Sequence, residues 1–384
     1  MAQGNITKRV RKDGTPAYRV RYDISSPDGA RSQVSETVAT KREAQHLLTR
    51  RLEQLRTGDY AVPTTLTVAD YLAQWLDTLP GSGTSPTRQY SCQQLVRLYM
   101  EPELGRHRLS SLTTLHVQRA VSTHVERGLA PATVRNIYST LSTALSQAVT
   151  WRLVPRNVAT GIKLPRAVRR PPTVWSTEQV RTFLAATAGH PLHPMWRLAL
   201  DSGMRPGELL ALRWGDMDLD ALHVTVARTM TKSATGAYVV GTGTKGGRSR
   251  RVALAPATVA TLRAHRASMA TIDPAALVFS RRGRPYWHHE AGAALHAESD
   301  AAGLPRIRMH DLRHTNATIL IAAGVPITVV AERLGHARVS MTLDRYAHVL
   351  EGMQERAAET ISRLFDGPRD HDVTTASDVM RKSP

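Results

Sequence analysis

The 384-residue sequence contains a single cysteine, Cys92, and no Cys/His set with metal-ligand spacing. An intrachain disulfide is therefore impossible, and a disulfide-stabilised secreted scaffold is excluded. Long apolar runs are also missing, because the longest, around residues 319–331, is interrupted by Gly324 and Pro326. The first residues lack the apolar segment of a signal peptide. We therefore expect a soluble protein of the reducing cytoplasm, with no membrane span.

Acidic residues and lysines are scarce. The sequence has 51 Lys+Arg, of which only seven are lysines, against 32 Asp+Glu, and the formal net charge is +19. Codon bias in a GC-rich genome is one explanation for the arginines, but it does not explain the shortage of acids. A polyanionic partner such as DNA is the other explanation. The net charge is +5 over residues 1–60, +6 over 61–166 and +8 over 167–366, which predicts a protein that surrounds its partner.

The N-terminal segment, residues 1–60, predicts three antiparallel strands followed by a helix. Between two turn signals, apolar residues alternate with Arg19 and Arg21, the period of a half-exposed strand. Thr40 and Glu43 have the spacing of a capping box at the start of the helix. The arginine face is either solvated or bound to a DNA groove. The candidate DNA contacts of this domain are Lys8, Arg9, Arg19 and Arg21.

Residues 66–164 predict a helical domain of about four helices, the clearest of which follows Pro131 and carries Arg135 opposite its apolar stripe. A basic, proline-rich connection containing Arg169 and Arg170 comes next. The further candidate DNA contacts of the chain are Arg135, Arg169, Arg170 and Arg248. Residues 173–366 predict an α+β domain, mostly helical with a small antiparallel sheet, and residues 367–384 predict a disordered tail. The fold class is thus multidomain and mainly α.

Within 173–366, a turn brings Arg205 to the start of a helix, with Pro206 at its first position and Glu208 in its first turn. A guanidinium there can bind phosphate, although taken alone a surface salt bridge with Glu208 is the simpler interpretation. Strand-like runs at 238–241 and 250–254 predict a hairpin with Lys245 at its tip. Its glycine-rich loop, which includes Arg248, does not match a nucleotide-binding P-loop.

The last chemically suggestive residues are His310 and Arg313, His336 after a Leu-Gly pair, and Tyr346 ten residues later. His310 and Arg313 are three residues apart in a predicted helix, so that both side chains can converge on one oxyanion. Apolar Leu312, Ile319 and Ala323 are expected to face the core. The histidines lack the spacing of a zinc protease motif. Tyr346 alone is an ordinary core or surface tyrosine.

Taken in order, these residues resemble the tyrosine recombinase (phage integrase) family. The resemblance is carried by Arg205 in GMRPGELLAL, Lys245, His310-x-x-Arg313, Leu-Gly-His336 and Tyr346. It implies a catalytic domain at 173–366, a core-binding domain at 66–164 and an AP2-like arm-binding domain at 1–60. Met204 stands where the family often has leucine, a volume-conserving difference.

The resemblance also implies a mechanism without a cofactor, metal ion or ATP. Tyr346 would attack the scissile phosphate to give a 3′-phosphotyrosyl link, while Arg205 and Arg313 stabilise the transition state. Lys245 would protonate the departing 5′-oxygen. His310 would assist near Tyr346, and the sixth catalytic position, His336, would donate a hydrogen bond.

The predicted function is integration and excision of a phage or mobile element by a homo-tetramer on double-stranded DNA attachment sites. A host DNA-bending protein and an excisionase are candidate partners. Two alternatives are a non-catalytic DNA-binding regulator and a metal-dependent nuclease. A helix through Val349, Met353, Ala357, Ile361 and Leu364 is expected to dock either on its own domain or on a neighbouring protomer.

Overall fold

The structure is a computed structural model that divides into two compact units. The first contains Met1–Arg170 and Lys232–Ala237, and the second contains Pro171–Thr231 and Tyr238–Pro384. The residues that the structure describes are 4–11, 13–25, 31–57, 65–166, 172–242, 249–269, 273–281, 283–346, 358–362 and 365. Several predicted features lie outside them: Lys245, Arg248, Arg169 and Arg170, the tail at 367–384, and most of the helix predicted after Tyr346.

The N-terminal part of the first unit is a three-stranded antiparallel sheet in the order β1-β2-β3, with one helix on it. Val20 and Tyr22 are buried against Ala44 and Leu47 of that helix. The predicted capping box is present, since the Thr40 hydroxyl accepts from the Glu43 amide at 3.2 Å. The elements are β1 (Gly4–Val10), β2 (Pro16–Ser25), β3 (Arg31–Val38) and α1 (Lys41–Thr57).

A helical bundle follows, with its own buried apolar cluster. Thr67 and Thr113 cap two of its helices with reciprocal side-chain hydrogen bonds. The Tyr71 hydroxyl donates to the Ala144 carbonyl and so ties the first helix of the bundle to the last. The helices are α2 (Val68–Thr78), α3 (Pro86–Leu95), α4 (Glu101–Leu104), α5 (Thr114–Glu126) and α6 (Pro131–Thr150), with a π-helical turn at Val96–Met100 between α3 and α4.

Most of the remaining elements belong to the second unit, whose core contains Trp175, Phe183 and Trp196 in ring contact. Its helices are α7 (Thr177–Ala186), α8 (His193–Ser202), α9 (Pro206–Leu210), α10 (Pro256–Ala267), α11 (His288–Ala301), α12 (Met309–Ala322), α13 (Ile327–Leu334) and α14 (Ser340–Tyr346). The strands are β4 (Met217–Asp218), β5 (His223–Val226), β6 (Arg228–Lys232), β7 (Tyr238–Thr242), β8 (Arg250–Ala253), β9 (Ser280–Arg281) and β10 (Arg284–Pro285). The predicted fold class, mainly helical with small antiparallel sheets, is confirmed.

The hairpin predicted from the runs at 238–241 and 250–254 is wrong. β7 pairs with β6, and β8 pairs with β5 in the order β4-β5-β8. The sequence prediction missed β6, whose short turn to β7 uses Gly236 in the left-handed region (φ +86°). β6 therefore takes the position beside β7 that the prediction gave to β8. The segment containing Lys245 therefore connects two sheets.

The predicted core face of the helix after His310 also needs correction. Leu312 is buried as expected, but Ala323 is exposed at the end of α12 and Ile319 is only half-buried. Ala317 and Ile321 fill the buried positions instead. Among the described residues, no helix combines the length and apolar character that crossing a membrane requires.

His124 of α5 makes the stability of the protein depend on pH. Its side chain is buried, and Nδ1 has no hydrogen-bond partner among the described residues. Burial lowers the pKa of His124 below its ordinary value. In the unfolded chain the pKa of a histidine is about 6.5, so the unfolded chain binds a proton at a higher pH than the folded chain does. The free energy of unfolding therefore decreases as the pH falls below that value.

We therefore expect the melting temperature, followed by circular dichroism, to fall more steeply from pH 7.5 to pH 5 in the wild type than in His124→Phe. The variant removes the titrating group, whatever its effect on stability at pH 7.5. Equal slopes for the two proteins would show that His124 does not contribute.

Candidate active site

Arg205 lies in the short connection between α8 and α9. Gly203 ends α8 in the left-handed conformation (φ +64°), and Pro206 opens α9 directly after Arg205. A Cβ at Gly203 would lie 2.6 Å from Asn316 Oδ1 and 2.7 Å from Leu334 Cδ2, so the junction requires glycine for conformation and for space. Arg205 is thereby held at the start of α9, as predicted.

Glu208 is the acidic partner of this arginine, but the pair is not a surface salt bridge. The Glu208 side chain is only 1% exposed. It accepts the Arg205 backbone N–H at 2.9 Å and Arg205 Nη1 at 2.8 Å, and it also accepts both Nη atoms of Arg250, at 3.1 and 2.7 Å. Burial alone would raise the pKa of Glu208, but these arginines outweigh that effect and keep the pKa below its ordinary value. Glu208 is therefore a buried carboxylate shared by two guanidinium groups.

Arg313 is almost fully buried, at 2% exposure. Its Nη1 donates to the Gly203 carbonyl at 2.8 Å and its Nη2 to the Leu334 carbonyl at 2.7 Å. Burial, together with the positive charges of Arg205 and Arg250, lowers the pKa of Arg313 to about 9, although Glu208 opposes the shift. The group remains protonated at neutral pH, and an anion bound beside it would offset the repulsion.

Three arginines meet at the C-terminal end of α13. Arg250 Nε donates to the Arg333 carbonyl at 3.0 Å, Arg313 to the Leu334 carbonyl, and Arg205 Nη2 to the Gly335 carbonyl at 3.3 Å. Carbonyls at the end of a helix lack partners within the helix and carry its negative partial charge. They therefore bind three guanidinium groups side by side, which come from the start of α9, from β8 and from α12.

His336 follows this row of carbonyls directly. Gly335 ends α13 with φ +66°, and His336 Nδ1 shares a hydrogen bond of 2.7 Å with the hydroxyl of buried Thr342. This bond fixes the ring orientation from α14, the helix that ends in Tyr346. His336 is half-buried.

Tyr346 is buried, at 1% exposure, among Ala317, Ile321 and other apolar residues of α12 and α13. Its hydroxyl lies 2.7 Å from Nδ1 of His314. The ring of His310 meets that of His314 edge-on, with centroids 5.0 Å apart. A phenol beside an imidazole has a proton acceptor within reach, so the arrangement suits activation of Tyr346 as a nucleophile.

The structure therefore brings together Arg205, Arg313 and His336 around the end of α13, with Tyr346 and the two histidines on the adjoining helices. Lys245 and Arg248 lie outside the described residues. Within the part of the chain that is described, no three His, Cys, Asp or Glu side chains are grouped to ligate a metal ion.

The sequence prediction missed several residues of this site. Arg250 was seen only as the start of a strand, and Glu208 only as a surface partner of Arg205. His314 was passed over although it is four residues from His310 on the same helix, a spacing that signals contact. Thr342 gave no signal, because nothing local distinguishes a buried threonine that orients a histidine.

The basic residues predicted to contact DNA elsewhere are spread over the first unit. Arg19 pairs with Thr7 and Thr37 in the sheet, so its side chain shares the face opposite α1 with that of Arg21. The register puts Arg9 on that face too, whereas Lys8 pairs with Tyr18 on the helix-bearing face. In the helical bundle, Arg135 is exposed and its Nε donates to the Pro165 carbonyl at 3.0 Å.

Two solved structures share the fold. The Tn1549 transposon integrase, in complex with a circular intermediate DNA, aligns with a TM-score of 0.66 at 18% identity over 76% of this chain and 99% of its own. A lambda integrase tetramer bound to a Holliday junction aligns with a TM-score of 0.57 at 17% identity over 86% of this chain and 95% of its own.

Sequence comparisons agree with the fold. The model of the phage integrase family matches residues 174–353. A tyrosine recombinase XerC-like protein of Caldanaerobacter subterraneus subsp. tengcongensis is 26% identical over 92% of this chain and 98% of its own length. The tyrosine recombinase XerC of Mycobacterium sp. (strain KMS) is 30% identical over 63% of this chain and 80% of its own length. The chain accordingly belongs to the phage integrase family of tyrosine recombinases, enzymes that cleave and rejoin DNA.

Proposed function

We propose that Tyr346 is the nucleophile of a site-specific recombination reaction and that the arginines at the end of α13 bind the scissile phosphate. The observation that carries this proposal is that three guanidinium groups converge on the carbonyls at the end of α13, where two of them also share the buried carboxylate of Glu208. On the adjoining helices, the hydroxyl of Tyr346 contacts a histidine. Among the described groups, this leaves an excess of positive charge where a phosphate would sit. Such fixed charge stabilises a transition state whose non-bridging oxygens are negative.

In the proposed step, the Tyr346 oxygen attacks phosphorus and the bond from phosphorus to the 5′-oxygen breaks. The phenol proton passes to a histidine. His314 is in direct contact with the hydroxyl of Tyr346, and His310 lies next to His314. The leaving 5′-oxygen takes a proton from Lys245. The product is a 3′-phosphotyrosyl ester and a free 5′-hydroxyl, and attack by another 5′-hydroxyl reverses the step and rejoins DNA.

Arg205 and Arg313 are assigned to the non-bridging oxygens, since guanidinium groups bind phosphate with directed pairs of hydrogen bonds. His336 is assigned a hydrogen bond to the same phosphate, with its ring held by Thr342. No metal ion or nucleotide takes part in this scheme.

We further propose that the protein integrates and excises a mobile element as a homo-tetramer. Exchange between two duplexes cuts four strands, and each protomer carries one Tyr346, so four protomers supply the nucleophiles. The sheet face with Arg9, Arg19 and Arg21 is assigned to a second DNA site, outside the cleavage site. A host DNA-bending protein and an excisionase remain candidate partners of this assembly.

The covalent step is tested with a nicked suicide substrate, on which cleavage traps the protein. We expect an SDS-resistant protein–DNA adduct with the wild type and none with Tyr346→Phe, since the variant lacks the attacking oxygen. Tyr286→Phe, the same change at a half-buried tyrosine elsewhere in the second unit, should form the adduct like the wild type. No adduct with the wild type, or an adduct with Tyr346→Phe, would contradict the proposal and favour a DNA-binding regulator.

A metal-dependent nuclease is separated from this mechanism by chelation. In the same assay, EDTA should leave the yield of adduct unchanged, because no proposed step uses a metal ion. Loss of cleavage in EDTA, restored by added divalent cation, would support the nuclease instead.

The sheet face is tested with the double variant Arg19→Ala/Arg21→Ala. We expect weaker binding to full-length attachment DNA and a salt dependence, the slope of log K against log salt, that is smaller by roughly two, since each lost phosphate contact removes about 0.9 from that slope. Lys41→Ala/Arg42→Ala removes the same charge from exposed positions of α1 and should change the slope less. Equal effects of the two double variants would show that only total charge matters.

A further inference from the structure

Arg250, the first residue of β8, is more deeply placed than its position in a strand suggests. Its side chain is 10% exposed, and three of its nitrogen atoms are engaged: Nη1 and Nη2 by Glu208, and Nε by the Arg333 carbonyl. We propose that Arg250 is a positioning residue for DNA cleavage, which holds Glu208, and through it Arg205, against the end of α13. This inference depends on the proposed function of the site.

The contacts of Glu208 show how Arg250 acts on Arg205. Oε1 of Glu208 accepts Nη1 of both arginines, and Oε2 accepts Arg250 Nη2 together with the Arg205 backbone N–H. Both oxygens of the carboxylate are thus fixed from the Arg250 side. Arg205 receives from Glu208 a constraint on its backbone and another on its guanidinium group.

The second anchor of Arg250 is the end of α13, where it packs against Gly335. A Cβ built at Gly335 would lie 2.9 Å from Nη1, 3.0 Å from Cδ and 3.1 Å from Cζ of Arg250. Only a glycine therefore allows this approach. Because Gly335 also accepts Arg205 and precedes His336, Arg250 connects α9 to the turn that carries the histidine.

The charge of Arg250 is needed as well as its shape. Burial would raise the pKa of Glu208, and Arg250 is the strongest opposing influence. Without Arg250, Glu208 would be a buried carboxylate with Arg205 as its remaining partner, and its pKa would rise. Protonated Glu208 would lose much of its hold on Arg205.

The test compares Arg250→Gln with the wild type in single-turnover adduct formation at saturating nicked substrate. We expect a rate loss on the order of 100-fold, typical of a misplaced catalytic group. DNA affinity should change much less. Arg250→Lys, which keeps the charge and loses the planar fork, should recover part of the rate at pH 8.

Arg251 supplies the matched control. It is the next residue of β8, its side chain is exposed and lies 2.6 Å from His223 Nε2, and Arg251→Gln removes the same charge. This variant should cleave at the wild-type rate with saturating DNA. Melting temperatures of all variants show whether each is folded.

The double variant Glu208→Gln/Arg250→Gln decides whether Arg250 acts through Glu208. We expect it to be no slower than the slower single variant, because both changes break one connection. Rate losses that multiply in the double variant, or a wild-type rate in a folded Arg250→Gln, would each overturn the proposal. If the wild type itself forms no adduct, the proposed function fails, and the role of Arg250 fails with it.

Discussion

Three consecutive backbone carbonyls at the end of α13, those of residues 333, 334 and 335, each accept a hydrogen bond from a different arginine. A helix terminus normally satisfies such groups with water or a glycine cap. Here the guanidinium groups come from β8, α12 and the start of α9, which are far apart in sequence. Three elements of the second unit thus meet at the end of one eight-residue helix. The positions of the other side chains in the site depend on this contact.

Gathering these arginines has an electrostatic cost that the fold only partly offsets. Arg205 and Arg250 share Glu208, while Arg313 has carbonyl dipoles and no carboxylate in direct contact among the described residues. The pKa of Arg313 is lowered as a result, mainly because the group is buried and also because neighbouring positive charges are only partly balanced. In the proposed complex a bound phosphate would reduce the imbalance, so the same charges that are unfavourable in the free protein would favour the binding of DNA. This is the sense in which the site is complementary to its substrate before the substrate arrives.

The sequence alone allowed the local parts of the site to be predicted, but not the connections between them. Arg205 beside Pro206, and the spacing of His310 and Arg313, are signals contained in a few neighbouring residues. The contact of Arg250 with Glu208 joins residues 42 positions apart and has no local signature. The prediction of strand pairing was wrong for a similar reason, since the partner of β7 is β6, a strand that the sequence pattern does not mark. The contact of His314 with His310, by contrast, is local, since the two residues are four positions apart on α12.

The net charge of +19 therefore has two physically different parts. Arginines of the N-terminal sheet face are proposed to act additively through phosphates, so each should be replaceable at a modest cost in affinity. The arginines at the end of α13 share one row of carbonyls, and two of them also share one carboxylate, so we expect substitutions among them to be non-additive. Affinity for DNA and the chemistry of cleavage are thereby assigned to separate sets of residues. Surface charges can then change with the target DNA while the geometry around Tyr346 stays fixed.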